Sequence, residues 1–310
     1  MRALHLTTYR RSFFEQQIAG LRSAGVECTV LDVPGDYSPD DPRTVADYLK
    51  YYPEVLERGL DSYDIVHANH GLTAPFAFAQ PTRPVVVTFW GSELMSERTW
   101  LTRLSAGSAR LAQRAILPSP AMAPHLDTGF THVPFPVDTG LFEPVARDRA
   151  RDYLGWDADA TVVLFPYDTS RPEKNYDRAR RVVERADVDA ELRPVNGHPY
   201  EEMPYYMNAS DAVLVTSDRE SGPLVVREAA ACNVPVISTD VGFVRETLTD
   251  VDGCAVCPSD AALIDALERI LPTTRRSNGR NAIDELGPER IGERLATLYE
   301  TAIDETEGRV

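Results

Sequence analysis

The sequence predicts an α/β protein of two doubly wound domains, and three observations lead there. Strand-length apolar runs alternate with helix-period segments along most of the chain, the pattern of parallel sheets covered by helices. The alternation breaks once, over 134–160, where Pro, Asp and Arg accumulate without a sustained apolar period. It then restarts, and 310 residues are enough for two domains with their own cores.

In the first half, RALHL (2–6) reads as the opening strand and SFFEQQIAGLRSAG as the helix after it. Ser12 and Glu15 are spaced as a capping box at its start, and Gly25 ends it. ECTVLDV, YDIVHA, PVVVTF and RAILPS read as further strands with helical segments between them. The break at 134–160 reads as an interdomain linker carrying one short helix. TVVLFPY (161–167), AELRPV (190–195), DAVLVT (211–216), VPVIST (234–239) and GCAVC (253–257) then supply a second set of strands. The tail GPERIGERLATLYETAID is an amphipathic helix with Ile291, Leu295 and Leu298 on one face. The domains are accordingly expected at 1–143 and 144–287, with a terminal helix over about 288–310. Two such domains facing each other would open a cleft at the carboxyl ends of their strands, where ligands of doubly wound sheets bind.

Charge narrows the function classes. There are 48 acidic against 32 basic residues, a formal net of −16, and only Lys50 and Lys174 are lysines. Nucleic acids and anionic membranes are both held by basic patches, so neither is an expected partner. A dispersed, acidic, lysine-poor surface resembles that of proteins from a salt-rich cytoplasm, where net charge keeps chains soluble. The N-terminus MRALHLTTYR shows no signal-peptide pattern and no apolar run is long enough to span a membrane, so the expected location is the cytoplasm.

Several chemistries lack their motifs. Neither G-x-G-x-x-G nor G-x-x-x-x-G-K-[ST] occurs, which demotes nicotinamide dehydrogenases and P-loop NTPases. His5, His67, His70, His125, His132 and His198 are scattered and no H-E-x-x-H is present, so no metal site is expected. Cys254 and Cys257 form a C-x-x-C pair, but no second pair of ligands follows, and buried cysteine is the better reading.

The segment RESGPLVVREAAACNVPVISTD (219–240) carries the chemistry. Gly222-Pro223 suits a helix start with Pro in the first helical position, Asn233 suits its left-handed end, and Pro235 opens a strand. Glu220 then lies in the loop before this helix and Glu228 about a turn and a half inside it. A helix N-terminus with free N–H groups attracts anions, so carboxylates on either side cannot themselves bind a phosphate. They can accept hydrogen bonds from hydroxyls flanking one, a ribose on one side and a sugar on the other. Exposed surface glutamates are the plainer alternative.

SDRESGPLVVREAAACNVPVISTDVG resembles the E-x7-E signature of retaining glycosyltransferases of the GT-B fold, family-4 type, with Glu220 and Glu228 on the two glutamates and Ser221 in place of the usual first glycine. SRPEKNYDRA (170–179) resembles the loop in which that family places an arginine and a lysine on the donor diphosphate, here Arg171 and Lys174. RPVVVTFWGSEL (83–94) resembles the strand and loop that often carry Thr-x-His-Gly, with Trp90 where the histidine would stand. TTYRRSFFEQQ takes the place of a glycine-rich loop but lacks the glycine pair.

The resemblance implies two Rossmann-like domains, with the terminal helix crossing back to the first. It implies transfer of a sugar from a nucleotide diphosphate donor with retention and without a metal or other cofactor. Glu220, Lys174 and Arg171 are the implied catalytic residues; Glu228, Gly222, Pro223, Leu224 and Val225 are the implied donor-binding ones. His70, Trp90, Glu93 and Arg10 are placed on the acceptor side, with a structural histidine as the alternative for His70, as for His67. The acceptor is expected to be a glycan, a small molecule or a lipid-linked sugar, the last requiring a visit to the inner face of the membrane. Two alternatives stand beside this: a nucleotide-sugar 2-epimerase of the same fold, and a catalytically silent GT-B protein that binds a glycan or a partner.

Overall fold

Short aliphatic and β-branched runs form the strands, and every described strand pair is parallel. The structure, a computed structural model, describes residues 1–35 and 43–308. It divides into one unit of Met1–Pro136 with Pro288–Val310 and a second of Val137–Gly287.

In the first unit β1 (Arg2–Thr7), α1 (Ser12–Ser23), β2 (Glu27–Asp32), α2 (Val45–Gly59), β3 (Ile65–Asn69), α3 (Ala74–Ala79), β4 (Val85–Thr88), α4 (Thr99–Leu111), β5 (Arg114–Leu117) and β6 (Thr131–His132) follow in order. The sheet order is β2-β1-β3-β4-β5-β6. All four residues of β4 are buried, as expected of a strand covered on both faces. The Ser12–Glu15 box does not form. Ser12 is already helical, and Arg11 holds the cap position without a side-chain cap bond. A capping box appears at α2 instead, where Thr44 and Asp47 bond reciprocally.

The second unit contains α5 (Arg147–Leu154), β7 (Val162–Phe165), α6 (Tyr176–Arg185), β8 (Glu191–Pro194), α7 (Met203–Ala209), β9 (Ala212–Val215), α8 (Leu224–Ala231), β10 (Val236–Thr239), α9 (Val244–Leu248), β11 (Ala255–Cys257) and α10 (Asp260–Ile270). Its sheet order is β11-β10-β9-β7-β8. Pro223, expected as the first helical residue, is instead the cap of α8 with non-helical backbone angles, so the helix starts one residue later than expected, and Asn233 follows it at φ 55°. Cys257 is buried and Cys254 partly so; the Cys254 sulfur accepts from the Val236 N–H at 3.3 Å.

The expected boundary at 143/144 is corrected. Residues 137–143 belong to the second unit, with Val137 and Phe142 in its core. The Val137 N–H donates to the Leu286 carbonyl at 2.9 Å, and the Arg280 guanidinium donates to the carbonyls of Thr139 and Phe142, both at 2.8 Å. The short helix α5 is likewise anchored rather than free. Arg151, buried, bonds the Ala209 carbonyl at 2.9 Å and Asp211 at 2.8 Å. Composition marked this stretch as polar, but its few apolar residues are the ones the core uses.

The chain then returns to the first unit as α11 (Pro288–Glu307), whose buried face includes Ile291, Leu295, Leu298 and Tyr299. Gly20 of α1 and Gly292 of α11 let the two backbones approach closely. A Cβ on Gly20 would lie 1.9 Å from the Pro288 carbonyl oxygen, and one on Gly292 2.1 Å from the Gly20 carbonyl.

Candidate active site

In the second sheet β8 lies on one side of β7 and β9 on the other, so the order reverses between β7 and β9. Loops leaving the carboxyl ends of strands at such a reversal diverge and leave a crevice for a ligand. The β7 loop runs from Pro166 through Lys174, and the β9 loop from Thr216 through Pro223. They are joined by hydrogen bonds. The Thr216 hydroxyl donates to the carbonyls of Lys174 (3.1 Å) and Asn175 (3.0 Å), and the Asp218 N–H donates to the Glu173 carbonyl at 3.0 Å. Asn175, in the left-handed region, turns the chain from Lys174 into α6.

This weave brings Lys174 and Glu220 together across 46 residues as a hydrogen-bonded ion pair. The Ser217 hydroxyl also donates to Glu220 Oε1 at 2.9 Å, and Lys174 Nζ sits 4.2 Å from the centre of the Tyr167 ring. Lys174 is 4% exposed, and burial pulls its pKa down against the opposing pull of Glu220. Burial and then the Glu220 carboxylate hold the Tyr167 phenol well above its ordinary range. Arg171 is not part of this pair. Its guanidinium is half exposed and forked onto Glu173, with Nε at 2.9 Å.

Glu228, on the inner face of α8, is 6% exposed and accepts from the Tyr200 hydroxyl at 2.9 Å. Burial pushes its carboxyl up to about 7, while the Tyr200 hydrogen bond pulls the other way. Ahead of it, Gly222 meets a wall: a Cβ there would fall 2.2 Å from Phe243 Cε1. Gly242, at φ 55°, packs on Gly222 from the next loop, where a Cβ would lie 2.8 Å from the Gly222 Cα. Phe243 is in turn covered by the buried Arg227 guanidinium, 3.5 Å from its centroid. The narrow loop leads into Pro223, Leu224 and Val225, and the opening N–H groups of a helix have no intrahelical acceptor.

In the first sheet the order reverses between β1 and β3. His70 follows β3 at φ 101°, and Trp90 follows β4. Trp90, 7% exposed, is boxed edge-on by Tyr9 (5.5 Å), Phe13 (4.9 Å) and His70 (5.6 Å). Glu93 is fully buried and binds its own loop: Oε1 accepts from the Trp90 N–H at 2.8 Å and the Gly71 N–H at 3.1 Å. His70 Nδ1 accepts from the Leu72 N–H at 3.2 Å, which leaves the ring proton of the neutral form on Nε2, 3.5 Å from Glu93 Oε2. Burial lowers the His70 pKa, with Glu93 opposing. Arg10 is not drawn to this group; its Nε bonds Asp32 at 2.7 Å and Glu15 lies at 3.6 Å. Among the described residues no group of three His, Cys, Asp or Glu side chains is placed to hold a metal. No described helix is long and apolar enough to cross a membrane.

The family model described as Glycosyl transferases group 1 matches residues 172–286, which include Lys174, Glu220 and Glu228. The chain is 19% identical to sucrose-phosphate synthase from Thermosynechococcus elongatus, with a TM-score of 0.79 over 97% of this chain and 99% of that one. Anabaena HepE, solved in complex with UDP, superposes with a TM-score of 0.73 at 15% identity over 97% of this chain and 100% of that one. The fold is GT-B. With this GT-B chain the D-inositol 3-phosphate glycosyltransferase 1 of Catenulispora acidiphila shares 28% identity over 218 residues, 56% of this chain and 52% of the relative. The D-inositol 3-phosphate glycosyltransferase of an Arthrobacter species shares 26% over 252 residues, 66% of this chain and 58% of the relative. The chain spans little more than half the length of these curated relatives.

Tyr200, Tyr167, Ser217 and Phe243 were not singled out from the sequence. No motif announces them: Tyr200 and Phe243 act on residues distant in the chain, and Ser217 and Tyr167 sit in loops whose paths only the packed structure sets.

Proposed function

We propose that this GT-B chain transfers a sugar from a nucleotide diphosphate donor to an acceptor hydroxyl, with retention at the anomeric carbon and without a metal. The observation that carries this is a convergence in the second unit: the Lys174–Glu220 pair, the tight Gly222–Pro223 turn and the buried Glu228 lie on the two loops and one helix that flank its strand reversal. In this reading the donor diphosphate takes Lys174 as its counter-charge, together with the N–H groups that open α8 and the half-exposed Arg171. Preorganised donors of this kind stabilise the charge that builds on the leaving group. Glu228 accepts from the ribose hydroxyls, and Glu220 accepts from the donor sugar and steadies positive charge developing on its ring. That HepE was solved with UDP and with UDP-glucose supports a nucleotide sugar as the donor class.

Thermal unfolding in molar potassium chloride with UDP, GDP, ADP, CMP and their sugar conjugates tests the reading. A ligand at 100 times its dissociation constant adds about 2.7 kcal/mol to the folded state. A shift with one nucleotide family, lost in Glu228→Ala, is the expected result. No shift with any of them sinks the donor site, and binding without turnover on any acceptor would leave a silent binding protein in its place.

A further inference from the structure

Glu228 is buried in an element that cannot by itself aim the carboxylate. A glutamate has three side-chain torsions, and a residue inside a helix needs an external partner to hold one oxygen outward. That partner comes from 28 residues upstream, the Tyr200 hydroxyl donating to Oε1 at 2.9 Å. The Tyr200 ring meets the Phe142 ring edge-on, with centroids 5.3 Å apart. Phe142 is fully buried, and its carbonyl is gripped by Arg280. The stretch that read as linker therefore supports a side chain that reaches the candidate site.

We propose that Tyr200 is a positioning residue for the donor: backed by Phe142, it holds one oxygen of Glu228 so that the other faces the vicinal hydroxyls of the ribose. The inference rests on the donor reading above. It assigns Tyr200 no contact with substrate. A side chain already held in its binding geometry loses less freedom when the ligand arrives, so the hydrogen bond appears as donor affinity.

The hydrogen bond also favours the ionised form of Glu228, which is the form that accepts from two hydroxyls. Two titratable neighbours of this carboxylate stay silent near neutrality. The Tyr167 phenol is held well above its ordinary range, and burial pushes the Cys232 thiol up to about 12. Arg276 and Arg280, which act on Cys232 from the segment after α10, are engaged by backbone carbonyls. Affinity for the donor is therefore expected to fall below about pH 7 in the wild type as Glu228 takes up a proton in the free protein. In Tyr200→Phe that inflection moves to higher pH.

The experiment is calorimetric titration of the full chain with UDP, GDP and ADP between pH 5.5 and 8.5, for wild type, Tyr200→Phe and Glu228→Gln. The nucleotide's own phosphate titration is common to all three proteins and cancels in the comparison. Tyr200→Phe keeps the ring on Phe142 and is expected to bind about tenfold more weakly, the size of one hydrogen bond to a charged group, with its inflection raised. Glu228→Gln is expected to lose the inflection. Uniform weakening with an unmoved inflection, or wild-type binding by Tyr200→Phe, overturns the positioning role while leaving the donor site standing. If the wild type binds none of the three nucleotides, the donor reading and this inference fall together.

Discussion

Gly222→Ala is the most direct perturbation of the candidate site, because its cost follows from geometry alone. The added Cβ would sit 2.2 Å from Phe243 Cε1 and 2.4 Å from Cδ1. Carbon atoms prefer about 3.5–4.0 Å, so the methyl is short of room by about 1.3 Å. Phe243 is 1% exposed and covered by Arg227, so the ring has little space to retreat. The loop must give way instead. Overpacking of this kind costs about 1–3 kcal/mol, and a shift of about 1 Å in a positioning loop lowers turnover by up to about 100-fold. In a Phe243→Ala background the same methyl enters a cavity, and its penalty should vanish. Urea unfolding gives the four stabilities of the cycle, and donor titration gives the four affinities. The expected coupling between the two sites is about 1–3 kcal/mol, the size of the relieved clash. Strict additivity, or a single Gly222→Ala variant with wild-type stability and affinity, would refute the packing argument.

Three further outcomes are expected. Lys174→Ala should lower turnover about 100- to 1,000-fold with the protein still folded, and Lys174→Arg should restore little of it, since a planar fork does not replace a point charge in a 4%-exposed slot; turnover within a few-fold of wild type removes Lys174 from the chemistry. Glu93→Ala strands the N–H groups of Trp90 and Gly71, and thermal unfolding should show a loss of about 2–4 kcal/mol, with a change under 1 kcal/mol counting against the bracing role. His5 is neutral in the fold, its pKa lowered from 6.5 to about 3 by burial and then by Arg22. The unfolded chain therefore binds that proton first, and the His5 contribution falls as pH drops below 6.5. Between pH 7.5 and 5.0 it amounts to about 2 kcal/mol. Glu228, raised to about 7, acts in the opposite direction but equally in wild type and His5→Phe, so it cancels between them. Urea unfolding should accordingly show His5→Phe losing about 2 kcal/mol less than wild type over that interval; equal losses would sink the assignment.

Local windows of sequence determined most of the secondary structure and the spacing of the candidate site. The strands from β1 to β5 and from β7 to β11 fall in the runs that apolar content marked out, β1 and β3 each extending one residue beyond, and α8 ends before Asn233 as its turn chemistry required. Glu220 and Glu228 were singled out because the segment around them resembles a family signature; their spacing about a helix start read as readily as two exposed surface glutamates. The two-residue β6 left no such mark. The tertiary structure alone decided what each buried charge touches. Lys174 meets Glu220 from 46 residues away and Glu228 meets Tyr200 from 28, while Glu93 turns inward to its own loop. It also decided that 137–143 belong to the second unit, through Val137, Phe142 and the carbonyls held by Arg280. The physical reason is one of range. Periodicity, caps and turn residues act over a few bonds and are written in consecutive positions. The partner of a buried polar group is whichever residue the packed chain brings within about 3 Å, and any of several donors can satisfy it.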